Sequence, residues 1–523
     1  MAATSAVVWL FLLLGTTNHF LVATTSAMEN PSEFYTSVVN MEHLLDSEQA
    51  ILKRLDKYIR LSEEKIKFLK KQLAKLESDV EGASKNRISF LSNPINAFLM
   101  TKRLVTDYGK IDEFMKMDVG VSLIDNSTML PTYDDYWGVA EALGNLQHVY
   151  QLDTAELVTG RVRGKITGRE LTADECFRVG SAMGLAKQFK YSILWLEESL
   201  RRWEWEDSPG ISKSEILDFL SYSLAEDGHY EEALKRTNEL LKIVPDHANG
   251  LNKKKVVEEW LEHVKLHGPK PSTDVDRGLY EALCRGDHQR PIADWSKMRC
   301  RYEFGRTPFL RIAPFKLEEV SFDPLIEVYH DVLSDKEIEK LLSLGRPKIR
   351  RSMVGENSNK EVSKSRTSQN GWLDDGEHPL VRTVTLRTMD ISGLDDKGFE
   401  SLQINNYGIG GHYLPHYDWT RPDGDKPVYE ELGLGNRIGT VMYYLSDVEQ
   451  GGATVFPLLG VGVFPKRGSA IFWYNLHHNG TGDERTLHGA CPVLIGSKWV
   501  ANKWIHEYHQ EFRRPCELQA EKI

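Results

Sequence analysis

The sequence predicts a multidomain α+β protein: an N-terminal helical or coiled-coil segment, a tetratricopeptide-like α domain and a C-terminal double-stranded β-helix, or jelly roll. Three observations predict it. An apolar stripe of helical period runs from Phe34 to Leu76, and a degenerate helix-pair repeat fills the middle of the chain. After about residue 400, short strand-like runs alternate with glycine-rich turns. At 523 residues there is room for roughly three or four domains. A composition 41% hydrophobic and 27% charged is that of folded protein. The net charge of −11 excludes nucleic acid as the main partner, because phosphate binding needs a basic face.

Residues 1–27 read as a secretory signal peptide. Val7 to Leu14 is too short an apolar run to span a bilayer, and small residues follow it, with cleavage expected after Ala27 or Ala23. No other long uncharged apolar run occurs, so no membrane span is expected. The C-terminal residues 520–523, ending in Ile523, are not a retention signal. Residence in the endoplasmic reticulum lumen therefore calls for another component. Asn126 and Asn479 head N-x-[ST] sequons, compatible with glycosylation.

Residues 28–135 form the helical segment. Leu44, Ile51, Leu55, Tyr58, Ile66, Leu69, Leu73 and Leu76 share one stripe, with lysine and glutamate between them. Glu48 and Ser62 interrupt the seam, and the register slips after Ser62, so the pattern suits a coiled coil or helical hairpin rather than a regular zipper. Self-association through these helices is the expectation, with an intramolecular bundle as its alternative. A turn is expected at Asn93-Pro94, further helix to Met117, and a loop from Asp125 to Tyr133.

Residues 136–265 carry the repeat. Small residues from Val179 to Ala186 precede Phe189, and the same arrangement from Leu220 to Ala225 precedes Tyr230, with Pro245 closing the second copy. Such pairs stack into a concave surface suited to an extended peptide. Phe189, Tyr191, Phe219 and Tyr222 are candidates to line it; plain core packing is the competing reading of each. Residues 266–321 read as an irregular, proline-rich connector. Within 322–523 a helix is expected from Ser334 to Leu344, capped by Ser334. Strands are expected over 402–407, 413–419, 437–445, 462–465, 469–474, 487–494 and 498–505.

The chemistry concentrates in that last domain. His416 and Asp418 are two apart, a spacing that places both on one face of a strand. With His488 from a distant strand they would make a two-histidine, one-carboxylate face, the arrangement of non-haem Fe(II) sites with open positions. Zinc fits less well, since H-x-D lacks the helical i, i+4 spacing of zinc proteases and no C-x-x-C occurs. A 2-oxo acid bound at such an iron needs a cation for its far carboxylate. Lys498 would supply it if the strands around His488 and Lys498 formed a hairpin turning at Gly496-Ser497. His412, His477, His478 and His509 have no carboxylate two residues away on a strand and read as non-ligands.

The same residues carry a resemblance. Asn406 to Gly411, Pro415 to Asp418, Gly451 to Pro457, His488 to Pro492, Gly496 to Trp504 and Gln510 to Cys516 resemble the catalytic domain of the collagen-type prolyl 4-hydroxylase α subunit, a 2-oxoglutarate/Fe(II) dioxygenase. The resemblance implies His416, Asp418 and His488 as iron ligands and Lys498 as the partner of the 2-oxoglutarate carboxylate. It implies Tyr407 and Thr454 in the 2-oxoglutarate pocket, and Arg437, Trp504 and His506 along the peptide groove. It implies a peptide-substrate-binding domain over the repeat, which favours Tyr191, Phe219 and Tyr222 as peptide-binding aromatics, although Phe219 stands where tyrosine is more usual. It implies 4-hydroxylation of proline in collagen-like X-Pro-Gly peptides, with succinate and CO2 as co-products and L-ascorbate restoring oxidised iron. A protein disulfide isomerase β subunit in an α2β2 tetramer is the implied partner, and its retention signal would hold the assembly in the endoplasmic reticulum. Four of the five cysteines fall into two local pairs, Cys284–Cys300 and Cys491–Cys516, which are also the pairings of that family. The first would close about 15 residues, worth about 3 kcal/mol in the loop-entropy account. Cys176 reads as a buried small hydrophobe. Two other functions stand beside this reading: a hydroxylase of another residue such as lysine, against which Lys498 in place of arginine speaks, and a catalytically silent collagen-binding chaperone, against which the intact ligand set speaks.

Overall fold

The computed structural model describes residues 37–85, 103–124, 130–166, 169–267, 278–287, 296–305, 307–352, 365–420 and 433–517. The signal-peptide segment 1–27, the Asn93-Pro94 turn and the Asn126 sequon lie outside them. The chain divides into two compact units, one of residues 40–131 and one holding the rest.

In the smaller unit the stripe folds as one continuous helix, α1 (Val38–Lys85), 48 residues long. At 1.5 Å per residue that is about 70 Å. A short π-helical turn (Arg103–Asp107) leads into α2 (Tyr108–Lys116). The second helix folds back on the first: Phe114 meets Phe68 with ring centroids 4.7 Å apart, and Lys65 Nζ donates to the Met115 carbonyl at 3.0 Å. Much of the stripe stays uncovered, with Ile66 52% and Leu73 56% exposed.

The larger unit starts with helices. α3 (Tyr133–Tyr150) is opened by a reciprocal capping box between Thr132 and Asp135, and α4 (Thr154–Val158) follows. A two-stranded ribbon, β1 (Arg161–Val162) and β2 (Lys165–Ile166), then precedes the repeat. The repeat is two helix pairs, α5 (Ala173–Leu185) with α6 (Phe189–Trp203) and α7 (Lys213–Glu226) with α8 (Tyr230–Ile243), followed by α9 (Ala248–His267). Thr172 with Glu175, and Ser212 with Glu215, cap the first helix of each pair in the same way. The small residues are there for close approach. A Cβ on Gly180 would lie 2.8 Å from Leu196 Cγ, and Ser192 Oγ bonds the Gly180 carbonyl at 2.7 Å and Ser223 Oγ at 2.8 Å. Leu196, Leu200, Ile216, Leu217, Leu220 and Leu240 fill the core between the pairs.

The connector is less irregular than expected. It holds α10 (Gly278–Arg285) and β3 (Cys300–Glu303), the edge strand of the large sheet, paired to β4 (Phe315–Phe322). Then come β5 (Leu325–His330), α11 (Asp335–Gly345) capped by Ser334, β6 (Arg350–Arg351), β7 (Gln369–Leu373), α12 (Pro379–Ser392), β8 (Leu402–Tyr407), β9 (Tyr413–His416) and β10 (Arg437–Tyr444). The domain is completed by β11 (Gln450–Gly451), β12 (Thr454–Phe456), β13 (Val461–Val463), β14 (Ala470–Tyr474), β15 (His488–Ala490), β16 (Val493–Ile495) and β17 (Lys498–His506). Among the described residues the large sheet has the order β3-β4-β5-β14-β10-β17-β8-β7-β6 and the small one β13-β12-β15-β9, with antiparallel pairing throughout. Alternation divides the large sheet between two cores. Ile404, Val441, Tyr443, Phe472 and Ala501 face α11 and α12, while Tyr407, Met442, Tyr444, Trp473 and Val500 face Phe456, Ala490 and Val493 from the other sheet side.

Two expectations about this domain are corrected. The single strand over 487–494 is broken at Cys491-Pro492, where proline has no N–H to give a ladder. Its second half, β16, pairs with β11, and after Gly496 at φ +107° the chain enters β17 in the large sheet. His488 and Lys498 therefore sit in separate sheets, not in one hairpin. The cysteine pairing also differs: Cys284 is bonded to Cys491, with Cα atoms 5.4 Å apart, while Cys300 and Cys516 are exposed thiols and Cys176 is a buried one. The reason is packing. Tyr280, Leu283 and Cys284 on α10 sink into a core with Tyr150, Val455 and Leu494, which brings Cys284 against Cys491, whereas Cys300 lies exposed on the edge strand. Tyr150 and Tyr280 hydroxyls donate to the Pro492 and Ala490 carbonyls, at 2.5 and 3.2 Å, tying the helices to the chain on either side of Cys491. The Cys176 thiol is pushed up to about 12 by burial, an inert packing residue.

Candidate active site

The antiparallel ladder between β9 and β15 sets His416 directly opposite His488. Asp418 lies past the end of β9, because the strand expected to reach Trp419 stops at His416 and bends. The three ligand atoms lie within 4.8 Å of one another. His416 Nε2 is 3.8 Å from Asp418 Oδ1 and His488 Nε2 is 3.7 Å from Asp418 Oδ2. Each imidazole is held from behind: Nδ1 of His416 donates to the Leu414 carbonyl at 2.8 Å, and Nδ1 of His488 to the Thr486 carbonyl at 3.0 Å. Both Nε2 lone pairs are thereby turned toward Asp418, the tautomer a metal-binding histidine requires.

Electrostatics favour the same state. Burial, then the neighbouring His488, holds His416 below its ordinary imidazole value, so it stays neutral. Burial alone would raise the Asp418 carboxyl. The two imidazoles, Arg437 and a 2.7 Å hydrogen bond from Thr440 outweigh it and keep the carboxylate ionised. Two imidazole nitrogens and one carboxylate oxygen, convergent on one point, fit Fe(II). The His416 side chain is 21% exposed against 7% for His488, so access is from the His416 side. Tyr413 stacks on His416 at 3.5 Å between centroids, while Trp473 and Phe456 close the far side around His488.

Lys498 points into the same interior. It is 1% exposed, its Nζ lies 3.4 Å from Thr454 Oγ1, and it sits 5.5 and 5.9 Å from the ring centres of Tyr407 and Tyr444. Tyr407 is its register partner across β8 and β17, and the Tyr444 hydroxyl donates to Thr454. No carboxylate pairs with this amine among the described residues, and burial holds it down to about 7. An unpaired buried ammonium beside a metal-binding triad is a seat for an anionic ligand.

Arg437, Trp504 and His506 converge on Glu400, which sequence reading did not single out. Arg437 Nε donates to Glu400 Oε1 at 2.6 Å, His506 Nε2 lies 2.9 Å from the same oxygen, and the guanidinium lies 3.9 Å from the Trp504 ring centre. His506 is fully buried, with its Nδ1 donating to the Gly435 carbonyl at 2.6 Å. Arg366 was missed as well. Buried among Ser368, Gln403 and Asn405, it lies over the Tyr413 ring at 4.9 Å, one aromatic removed from His416. Only long-range strand pairing brings these groups to the centre, so no local spacing announced them.

The four helical-domain aromatics are all half-buried. Phe189 and Tyr222 form an edge-to-face pair; Phe219 packs on Phe177 beside the helical core; the Tyr191 hydroxyl meets His148 Nδ1 at 2.9 Å. Asn479 lies in a turn with its side chain accepting from Thr481, at 3.0 Å from the amide and 2.7 Å from the hydroxyl. Among the described residues no helix is long and apolar enough to cross a membrane.

Comparison with known proteins places these parts. The N-terminal region of the prolyl 4-hydroxylase alpha-subunit matches residues 37–164, the prolyl 4-hydroxylase peptide-substrate-binding domain residues 173–263, and the 2OG-Fe(II) oxygenase superfamily residues 402–506. Prolyl 4-hydroxylase subunit alpha-1 of Homo sapiens is 37% identical over 537 residues, covering 98% of this chain and 99% of its own. Subunit alpha-2 of Caenorhabditis elegans is 36% identical over 510 residues, 94% of each chain. The structure of a viral collagen prolyl hydroxylase from Paramecium Bursaria Chlorella virus-1, a 2OG complex, is 28% identical over 34% of this chain and 94% of its own, with a TM-score of 0.28. With relatives this similar over nearly the whole length, the chain belongs to the prolyl 4-hydroxylase α-subunit family.

Proposed function

We propose that this protein hydroxylates proline to 4-hydroxyproline in collagen-like X-Pro-Gly peptides, with Fe(II), 2-oxoglutarate and O2. The observation that carries the proposal is the pairing of an inward-turned two-histidine, one-carboxylate cluster with an unpaired ammonium in one barrel interior. His416, Asp418 and His488 would hold Fe(II), and Lys498 with Thr454 and Tyr407 would hold the far carboxylate of 2-oxoglutarate. Bound together, the metal and the 2-oxo acid supply the oxidising power that converts a C–H bond to C–OH with O2, releasing succinate and CO2. The chain's own part is positional. Hydrogen bonds to the Leu414 and Thr486 carbonyls fix the imidazoles, and Thr440 fixes the carboxylate. Trp473, Phe456 and Tyr444 line the interior and exclude water from it.

Several further parts belong to the same proposal. The repeat domain holds the proline-rich chain, with Phe189, Tyr191, Phe219 and Tyr222 offering aromatic faces. L-ascorbate keeps the iron ferrous between turnovers. The uncovered stripe of α1 supports self-association, and a protein disulfide isomerase subunit completes an α2β2 assembly in the endoplasmic reticulum lumen. The test is iron-dependent succinate release with (Pro-Pro-Gly)n peptides, with mass analysis of the product. Hydroxylated proline, and no reaction with lysine-containing collagen-like peptides lacking X-Pro-Gly, is expected. Full activity after His416→Ala would refute the assignment.

A further inference from the structure

Two side chains in a row lead away from the metal-binding carboxylate, and the second is only half satisfied. Thr440 Oγ1 lies 2.7 Å from Asp418 Oδ2, and Asn475 Nδ2 lies 2.9 Å from Thr440 Oγ1. A hydroxyl has one proton. The Thr440 hydroxyl donates that proton to Asp418 Oδ2, so Thr440 must accept from the Asn475 amide. The N–H side of the amide therefore faces Thr440, and its Oδ1 is left without a hydrogen-bond partner although Asn475 is fully buried. The opposite orientation would set two acceptors against each other. An unsatisfied buried carbonyl is costly, and its presence beside a metal site marks an orientation held for another purpose.

The backbone places Asn475 at a junction. Thr440 is the register partner of Trp473 on β14 and of Trp504 on β17, so its hydroxyl enters the interior between two indoles. Asn475 follows β14 directly, its N–H donating to the Ile438 carbonyl at 2.9 Å. Its own carbonyl accepts from Asp483 N at 2.9 Å, and that turn ends at Thr486, whose carbonyl holds His488 Nδ1. One residue thus reaches Asp418 through its side chain and the His488 turn through its main chain.

We propose that Asn475 is a positioning residue for the metal centre: acting through Thr440, it holds Asp418 Oδ2 and fixes the rotation at which the carboxylate faces the His416 and His488 imidazoles, and so Fe(II). The inference rests on the assignment of His416, Asp418 and His488 as ligands, and the controls separate the two.

The test is anaerobic titration of the full-length protein, in the assembly from which it is purified, with Fe(II) alone. Thr440→Val and Asn475→Leu are each expected to weaken Fe(II) binding about 10–100-fold, the range for partners that orient a ligand. The double variant is expected to bind no more than about threefold worse than the weaker single one, because both changes cut one chain. Thr440→Ser, which keeps the hydroxyl, is expected within about threefold of the unmodified protein. Should Asn475→Leu fail to fold, Asn475→Ala gives the same comparison with less bulk, and thermal unfolding of each metal-free variant reports folding. Affinity of the Asn475 variant within twofold of the unmodified protein overturns the inference, as does a double variant that loses the product of the two single effects. So does a Thr440→Ser as weak as Thr440→Val. Absence of Fe(II) binding by the unmodified protein would instead overturn the ligand assignment itself.

Discussion

Replacing Lys498 by methionine should stabilise the protein without ligand and abolish its response to 2-oxoglutarate. The magnitude follows from the amine's surroundings. Lys498 is wholly buried with no anionic partner among the described residues, and burial lowers it from 10.5 to about 7. An unfolded chain keeps that proton up to pH 10.5, whereas the folded one releases it near pH 7. Between these values the unfolded state binds more protons, so raising the pH favours folding. A shift of this size opposes folding by on the order of 4 kcal/mol at pH 7, fading to nothing above about pH 10. Methionine keeps the length and apolar stem without the charge, so metal-free Lys498→Met should unfold at least about 5 °C higher at pH 7. It should also lack the rise in stability from pH 7 to pH 10. Adding Fe(II) and 2-oxoglutarate anaerobically should raise the melting temperature of the unmodified protein, since the carboxylate supplies the missing counter-charge, and leave Lys498→Met unmoved. The assay is thermal unfolding across pH 7–10 with and without the two ligands. A variant less stable than its parent without ligand, or one still stabilised by 2-oxoglutarate, would refute the reasoning.

Other outcomes follow from packing. Non-reducing peptide mapping should recover a fragment joining Cys284 to Cys491, and Cys284→Ser should cost about 5 kcal/mol, given a sequence separation of 207; a fragment joining Cys284 to Cys300 would contradict the structure. Gly180→Val places a side chain 2.8 Å from Leu196 Cγ and should lower stability by about 1–3 kcal/mol in urea unfolding. A null effect there would mean that α5 and α6 are not so closely packed. Ile66→Asp together with Leu73→Asp, both on the uncovered stripe of α1, should shift sedimentation toward smaller species while leaving peptide hydroxylation per active site within about twofold. Unchanged sedimentation would remove that stripe from the association surface.

How far the fold could be read from the chain depended on whether its cause was local. The helix pairs were legible because small residues recur at a fixed distance before an aromatic, as from Val179 to Phe189 and from Leu220 to Tyr230. His416 and Asp418 were legible through strand alternation, though Asp418 reaches the site from a bend beyond the strand. Helix α12 was not foreseen. Thr385, Thr388 and Ser392 occupy its buried face, and two of these hydroxyls bond back to the helix's own carbonyls, which interrupts the apolar stripe. Lys498 was placed in the interior by an incorrect route, since Pro492 redirects the chain between sheets. Glu400, Arg366 and Asn475 depend on partners 37, 39 and 35 residues away, and the disulfide on one 207 away. Those separations carry no local pattern.

The most direct measurement is anaerobic calorimetric titration of the full-length protein with Fe(II), followed by 2-oxoglutarate. One ferrous ion per chain should bind first, and one 2-oxoglutarate should then bind to the loaded protein. Asp418→Ala should lose the first event and Lys498→Ala only the second. Stoichiometric Fe(II) in Asp418→Ala, or undiminished 2-oxoglutarate affinity in Lys498→Ala, would contradict the account.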